Sequence, residues 1–248
     1  MDIITSTQNK TVKLARSLAE KKFREQAGLF LVEGVNIVKD LPADAEVEFV
    51  LVAEGRQAES AELLACTRAQ VYYVSEAVMK SLSDTVTPYG FAAAVRIPRR
   101  EFSLPAGNAI ILDGVSDPGN LGTIIRTAAA TGFDDVYLLD CADPYAPKTV
   151  RASMGGVFRV RLFKVDEKQA VEVAGNRNSV ALDMAGEYIT DSRPVQPVVY
   201  IAGSEAHGIR KSLLDAAKRV LALPMKNGME SLNVAVATAV AIYQTFIK

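Results

Sequence analysis

The chain has 248 residues, 49% apolar and 23% charged, which fits one large or two modest globular domains and argues against wholesale disorder. Twenty-eight Lys and Arg against 29 Asp and Glu leave a net charge of −1, so the total charge gives no sign of a nucleic-acid partner. Two cysteines without a CxxC spacing and one histidine exclude a Cys/His zinc site and a disulfide framework, and no apolar run is long enough for a membrane span.

In chain order, Met1-Asp2-Ile3-Ile4-Thr5-Ser6 lacks the charged-then-apolar layout of a signal peptide, and a cytoplasmic location is expected. Residues 8–25 read as a helix, with Val12, Ala15, Leu18, Ala19 and Phe23 at core spacing. Lys10, Lys13, Lys21 and Arg24 fall on an arc away from that face, within a stretch whose local charge is +5. Two readings stand, a solvated helical face and a ridge that tracks phosphates. An opposite balance of −6 follows between Asp40 and Glu62. Strand 29–32, helix 34–40, strand 47–53, helix 58–66, strand 71–74, helix 75–82 and strand 91–96 make a small α/β unit ending at residue 97. Residues 98–105, with Pro98 and Pro105 bracketing three charges, read as a linker.

From residue 106 the pattern is again α/β, now with 12 of the 16 glycines. Strands 109–113, 135–140, 157–162, 178–182, 198–202 and 220–223 alternate with helices 119–131, 166–173, 209–216 and 231–247, with a loop that includes 147–153. A mostly parallel sheet with helices on its faces is predicted. Leu121, Ile124, Ile125 and Ala128 form the buried stripe of the second-half opening helix, and Gly132 supplies its stop. In the last helix Leu232, Ala235, Val236, Ala239, Val240, Tyr243 and Ile247 read as a core stripe, with Ser231 as its N-cap.

Three polar, glycine-bearing loops follow strands: Asp113–Asn120, Gly203–Gly208 and Leu223–Asn233. Ligands of open parallel sheets bind beyond the carboxyl ends of the strands, so the three loops predict one shared pocket. Neither GxGxxG nor GxxxxGK[ST] is present in the required context, which disfavours a conventional dinucleotide site and a P-loop. Taken singly, Asn120 reads equally as a helix cap, Arg126 as a surface charge and His207 as an exposed loop residue. Asn233 is different, because capping by Ser231 does not explain a poor helix former in the first turn.

Asn120-Leu121-Gly122-x-x-x-Arg126, Gly203-Ser204-Glu205-x-x-Gly208-Ile209 and Leu223-Pro224-Met225 with Ser231-Leu232-Asn233-Val234-x-Val236-Ala237 resemble, in order, the three motifs of the SpoU (TrmH-like) RNA ribose 2′-O-methyltransferases. The resemblance covers about 106–248. Ser6-x-Gln8-Asn9-Lys10 and Phe30-Leu31-Val32-Glu33-Gly34 resemble the family's RNA-binding substrate domain. It implies a SPOUT-type α/β domain with a C-terminal trefoil knot, a departure from normal topology that residue patterning does not reveal. It also implies S-adenosylmethionine held by Gly203, Leu223, Met225 and Leu232, a polar active-site group of Asn120, Arg126, Glu205, Ser231 and Asn233, a homodimer, and no metal. Lys148 and Arg151 resemble the family's basic loop and join Lys10, Lys13, Lys21 and Arg24 as expected RNA contacts. One departure stands out: Ala206 follows Glu205 where the family commonly has glycine, a strained choice if the backbone there has positive φ.

The expected reaction is methyl transfer to a ribose hydroxyl of RNA, ribosomal (23S-type) by analogy with the two-domain layout. Such a displacement needs a positioned hydroxyl and no metal. A guanidinium does not accept protons in proteins, so Arg126 is expected to anchor phosphate and stabilise alkoxide charge while Asn233 and Ser231 orient the hydroxyl. Glu205 is expected to orient Arg126 or Asn120. The alternatives are an idle RNA-binding or ribosome-assembly factor of the same fold, and a tRNA-directed or antibiotic-resistance methyltransferase.

Overall fold

The computed structural model describes residues 2–39, 41–60, 69–82, 90–176, 178–190 and 193–247. The chain divides into two compact units: Met1–Pro98 together with Tyr145–Arg151, and Arg99–Pro144 together with Ala152–Lys248.

In the first unit β1 (Ile3–Ile4), α1 (Lys10–Ser17), α2 (Lys21–Ala27), β2 (Leu29–Glu33), α3 (Val35–Lys39), β3 (Val47–Ala53), β4 (Gln70–Val74), α4 (Glu76–Lys80) and β5 (Phe91–Arg96) follow one another. The five strands form a mixed sheet in the order β1-β4-β3-β5-β2, in which β5 runs antiparallel to β2 and β3. Residues 57–60 are helical, and the remainder of the helix expected over 58–66 lies outside the described residues. Val12, Ala15 and Leu18 pack with Leu29, Leu31, Leu51 and Val78, each valine or leucine side chain contributing about 1.5–3 kcal/mol by leaving water.

The single helix expected over 8–25 is two helices, and this corrects one candidate residue. The chain turns at Leu18–Glu20, so Ala19 and Phe23 leave the core face that Val12, Ala15 and Leu18 define. Arg24 then folds back, and its Nη1 donates to the carbonyls of Leu18 and Ala19 at 2.8 Å each. Those carbonyls end α1 without helical partners, and the guanidinium supplies the donor they lack. At 3% exposure Arg24 is a structural cap, not part of a basic ridge. Lys10, Lys13 and Lys21 are exposed, and Lys21 lies 4.0 Å from Glu25. Within the same unit Arg151 is partly buried and donates to Glu33 at 3.2 Å, while Lys148 is exposed. The Arg151 charge is thus already engaged by a buried carboxylate.

The second unit runs β6 (Ala109–Asp113), α5 (Pro118–Thr131), β7 (Asp135–Leu139) and then, after α6 (Pro147–Ser153), most of which belongs to the first unit, a 3₁₀ turn (Gly156–Phe158), β8 (Arg161–Lys164), α7 (Glu167–Asn176), β9 (Ser179–Tyr188), β10 (Val199–Gly203), α8 (Lys211–Ala216), β11 (Arg219–Ala222) and α9 (Val234–Phe246). Its six strands lie in the order β11-β9-β10-β6-β7-β8, and every pairing is parallel. Both faces are covered, so the strands are apolar throughout: Ile111, Tyr137 and Ile201 pack against Val173 of α7 and Leu213 of α8. Register at the β7–β8 edge is fixed by the opposed pair Asp135 and Arg161, joined by two hydrogen bonds of 2.6 and 2.7 Å.

Three local features shape the site. α5 begins at Pro118, ahead of the expected start, because Asp117 caps it through the Asn120 backbone N–H at 2.9 Å. Gly132 ends it in the left-handed conformation at φ 72°. β9 continues past its expected end at 182: pairing with β11 passes from Ala181–Val220 directly to Glu187–Leu221, so residues 182–186 bulge out of the ladder.

The last helix departs from its expected orientation. Asn233, not Ser231, is the N-cap, its Oδ1 accepting from Ala235 N and Val236 N. The buried face is Val234, Ala235, Thr238, Ala241, Ile242 and Thr245. Of the expected core stripe, Leu232, Val236, Val240, Tyr243 and Ile247 are exposed, with Val236 at 48% and Ile247 at 60%. A helix apolar on every side satisfies the core pattern on either face, so spacing alone does not choose between them. No described helix is long and apolar enough to cross a membrane.

Candidate functional site

The three glycine-bearing loops meet at the carboxyl ends of β6, β10 and β11. Because Asp117 takes over capping, the Asn120 amide is available, and it donates to Glu205 Oε1 at 3.2 Å. Asn233, fixed by its cap bonds at 3.0 and 3.3 Å, donates its Nδ2 to Glu205 Oε1 at 2.8 Å and to Asn120 Oδ1 at 2.9 Å. Val234 N–H adds a longer bond to the same carboxylate oxygen at 3.3 Å. Residues separated by 113 and 28 positions therefore close a triangle, with Glu205 as its common acceptor. The puzzle of Asn233 resolves here, since one side chain caps α9 and links the other two loops.

The Glu205 loop is a tight return. Ser204 and Gly208 form an isolated bridge, His207 N–H donates to Ser204 Oγ, and Gly208 sits at φ +67°. The return lies so close over Gly203 that a Cβ there would meet Gly208 C and O at 2.2 Å and Ile209 N at 2.4 Å. Glycine at 203 is thus required by close approach, not by dihedral angle. Ala206 is not among the positive-φ residues, so alanine in place of glycine carries no backbone strain. His207 is exposed and has no catalytic partner among the described residues.

A clamp that no motif announces ties this loop to the sheet. Arg210 donates its backbone N–H and its Nε to the two oxygens of Asp113 at 2.7 and 2.8 Å, and its Nη2 to Asp140 at 3.0 Å. Asp113 is 3% exposed at the end of β6. The hydrogen bond it donates to Asp113 first, and then that to Asp140, push the guanidinium still further toward its protonated form against the opposing effect of burial. Asp113 and Arg210 are 97 positions apart, and no spacing rule pairs them.

Beside the triangle lies a cavity of about 240 Å³. Its lining includes Gly203, Leu223, Met225 and Leu232, the four residues expected to hold a cofactor, together with Glu205 and Ser231. The β9 bulge adds Leu182, Asp183 and Met184 as one wall, and α9 adds Val234, Ala237 and Thr238. The Thr238 hydroxyl is buried and without a hydrogen-bond partner among the described residues. A mostly apolar slot, a backbone return over a glycine and one unpaired hydroxyl suit an organic ligand with a flat apolar body and a few polar edges. Among the described residues there is no group of His, Cys, Asp and Glu able to hold a metal ion.

Arg126 stands outside the triangle. It lies on α5 beyond Asn120, is exposed, and pairs with no carboxylate among the described residues. Glu205 accepts from Asn120 and Asn233, and among the described residues no hydrogen bond joins it to Arg126. The α5 backbone at Arg126 is approached closely by the 3₁₀ turn: a Cβ on Gly156 would lie 3.1 Å from Arg126 Cα.

Comparison with known proteins gives two family-model matches: the SpoU rRNA Methylase family over residues 107–243, and the MRM3-like substrate binding domain over 9–93. The 23S rRNA (guanosine(2553)-2′-O)-methyltransferase RlmP of Bacillus subtilis is 32% identical over 251 residues, covering 98% of both chains. An uncharacterized tRNA/rRNA methyltransferase of Synechocystis is 31% identical, covering 97% of this chain and 92% of its own. Among solved structures, an AdoMet-bound rRNA methyltransferase of Sinorhizobium meliloti superposes with a TM-score of 0.85 at 28% identity, covering 98% of this chain and 96% of that one. An RNA 2′-O ribose methyltransferase gives 0.83 at 34% identity, covering 98% and 97%.

Proposed function

Because the chain belongs to the SpoU rRNA methylase family, we propose that it transfers the methyl group of S-adenosylmethionine to a ribose 2′-hydroxyl of ribosomal RNA, of the 23S type. The observation that carries this reading is the cavity at the three strand ends, with the Asn120–Glu205–Asn233 triangle beside it. When bound, S-adenosylmethionine supplies an activated methyl group on a sulfonium. Gly203, Leu223, Met225 and Leu232 hold it, chiefly through backbone and apolar surface.

Transfer to the ribose oxygen would form the O–CH₃ bond as the S–CH₃ bond breaks, with the donor leaving as its neutral thioether and the hydroxyl proton passing to solvent water. The asparagine amides, held by Glu205, and the Ser231 hydroxyl orient the ribose, so that little rearrangement remains at the moment of reaction. Arg126 anchors an RNA phosphate and stabilises the developing alkoxide, since a guanidinium does not take up a proton. Residues 1–97 serve as the RNA-binding domain, 98–105 as a linker and 106–248 as the methyltransferase domain, a division that the two family-model spans support. Lys10, Lys13, Lys21 and Lys148 are exposed cations suited to RNA phosphates.

The exposed apolar face of Val236, Val240, Tyr243, Phe246 and Ile247 is the surface on which a second copy docks in the homodimer we infer. The reading also includes a trefoil knot in the C-terminal domain and a cytoplasmic location, both resting on family likeness. The test is incubation of the purified protein with radiolabelled S-adenosylmethionine and ribosomal RNA lacking its own modifications, followed by mapping of 2′-O-methyl positions. Label at one 23S-type ribose is expected. Failure to bind S-adenosylmethionine would leave an idle RNA-binding factor, and label only in transfer RNA would redirect the substrate assignment.

A further inference from the structure

Four helical threonines in this chain share a bond that Thr238 lacks. Thr123, Thr127 and Thr131 donate their hydroxyls to the carbonyl four residues back at 2.8–2.9 Å, and Thr245 does so at 3.4 Å. That back-bond is the ordinary way for a threonine to satisfy itself in a helix. Thr238, with the Val234 carbonyl within the same helix, makes no such bond, although it is 0% exposed. A buried hydroxyl left unpaired is destabilising, and a unit this well satisfied elsewhere gives no structural reason to tolerate it. Thr238 lines the cavity.

We propose that the Thr238 hydroxyl is a hydrogen-bonding ligand of the adenine base of S-adenosylmethionine. The assignment rests on the function proposed above and identifies which part of the donor this residue reads. The two carboxylates that line the cavity, Asp183 and Glu205, belong to side chains that reach solvent, whereas Thr238 is wholly enclosed and shares its helix wall with Val234 and Ala237. A charged ammonium or carboxylate is expensive to enclose among such neighbours. The purine is the uncharged portion of the donor that combines a flat apolar body with a polar edge. One hydroxyl, able to donate or to accept, matches that edge.

The hydroxyl therefore weakens the empty protein and strengthens the loaded one, and an isosteric substitution separates the two effects. Thr238→Val keeps the shape and removes the polar atom. Binding of S-adenosylmethionine, S-adenosylhomocysteine and adenosine is measured by calorimetry, and melting without ligand by scanning fluorimetry, for wild type, Thr238→Val and Thr238→Ser. For Thr238→Val, Kd is expected to rise about 3–10-fold for all three ligands, the loss of one neutral hydrogen bond. Its ligand-free Tm is expected to increase by about 2–4 °C. Thr238→Ser, which retains the hydroxyl, stays within about twofold of wild-type affinity. Unchanged affinity in folded Thr238→Val overturns the inference, as does weakening confined to the two ligands that carry an amino-acid tail. Should Thr238→Val fail to fold, Thr238→Ala provides the same comparison. A wild-type protein that binds none of the three refutes the proposed function itself, a result distinct from equal binding by wild type and variant.

Discussion

Asn233 combines two jobs in one side chain, and substitutions separate them. Its Oδ1 caps α9, while its Nδ2 donates to Asn120 and Glu205 at 2.9 and 2.8 Å. Asn233→Ala loses both, about 1 kcal/mol for the cap and about 0.5–1 kcal/mol for each partly exposed cross-loop bond, so about 2–3 kcal/mol in all. Asn233→Ser retains a capping oxygen and should lose only the cross-loop share, about 1–2 kcal/mol. Asn233→Asp also caps, but sets a carboxylate where the amide donor lies 2.8 Å from Glu205 Oε1. At that separation like charges repel by about 1.5 kcal/mol even at the dielectric constant of water, and by more where solvent is partly excluded.

The sign with pH follows from that repulsion. In the folded Asn233→Asp variant it raises the pKa of the introduced carboxyl above the unfolded value, so the native state holds more protons and the variant loses stability as pH rises through that range. At lower pH protonation of the introduced carboxyl restores a donor between the two oxygens. Urea unfolding at pH 5 and pH 8 measures the effect. Asn233→Asp should fall below Asn233→Ser at pH 8 and approach it at pH 5, with methyl transfer reduced in both. Equal stability of the two variants at pH 8, or a gap that widens on acidification, would refute the shared-acceptor geometry.

The clamp, the close glycine and the solvent-facing arginine give three further outcomes. Arg210→Met leaves the Asp113 carboxylate buried and unpaired; with the guanidinium partly solvated, about 2–3 kcal/mol of stability should be lost in urea unfolding, with weaker donor binding because the Glu205 loop is untied. Gly203→Ala forces a Cβ to within 2.2 Å of the Gly208 backbone, so S-adenosylmethionine binding measured by calorimetry should be abolished and stability should fall by about 1–3 kcal/mol or more. Arg126→Lys touches no carboxylate partner among the described residues, so unfolding should shift by less than about 0.5 kcal/mol while turnover drops at least about tenfold, because an ammonium lacks the fork that a phosphate or alkoxide engages. Near-normal turnover in that variant would remove Arg126 from the mechanism.

Periodicity is informative wherever burial has one face or two. The parallel strands of the second unit read as continuous apolar runs because helices cover both sides, and Gly132 marks its helix end because only a residue at ease in the left-handed region stops a helix there. Motif order is enough to bring Asn120, Glu205 and Asn233 under suspicion together. What periodicity lacks is knowledge of a partner. Arg24 fits a basic arc until the break at Leu18–Glu20 turns it onto two orphan carbonyls, and the α9 stripe fits a core although the opposite face of that equally apolar helix is the one inside.

Residue type and order thus determined the α/β alternation, the strand-end loops and the chemistry they carry, because these depend on neighbours a few positions apart. Tertiary structure alone decided which oxygen serves three donors, that Asp113 anchors the Glu205 loop through Arg210, and that the Thr238 hydroxyl is left unpaired in a cavity wall. Each of those depends on atoms brought within about 3–4 Å from distant parts of the chain, and a linear pattern contains no term for such encounters.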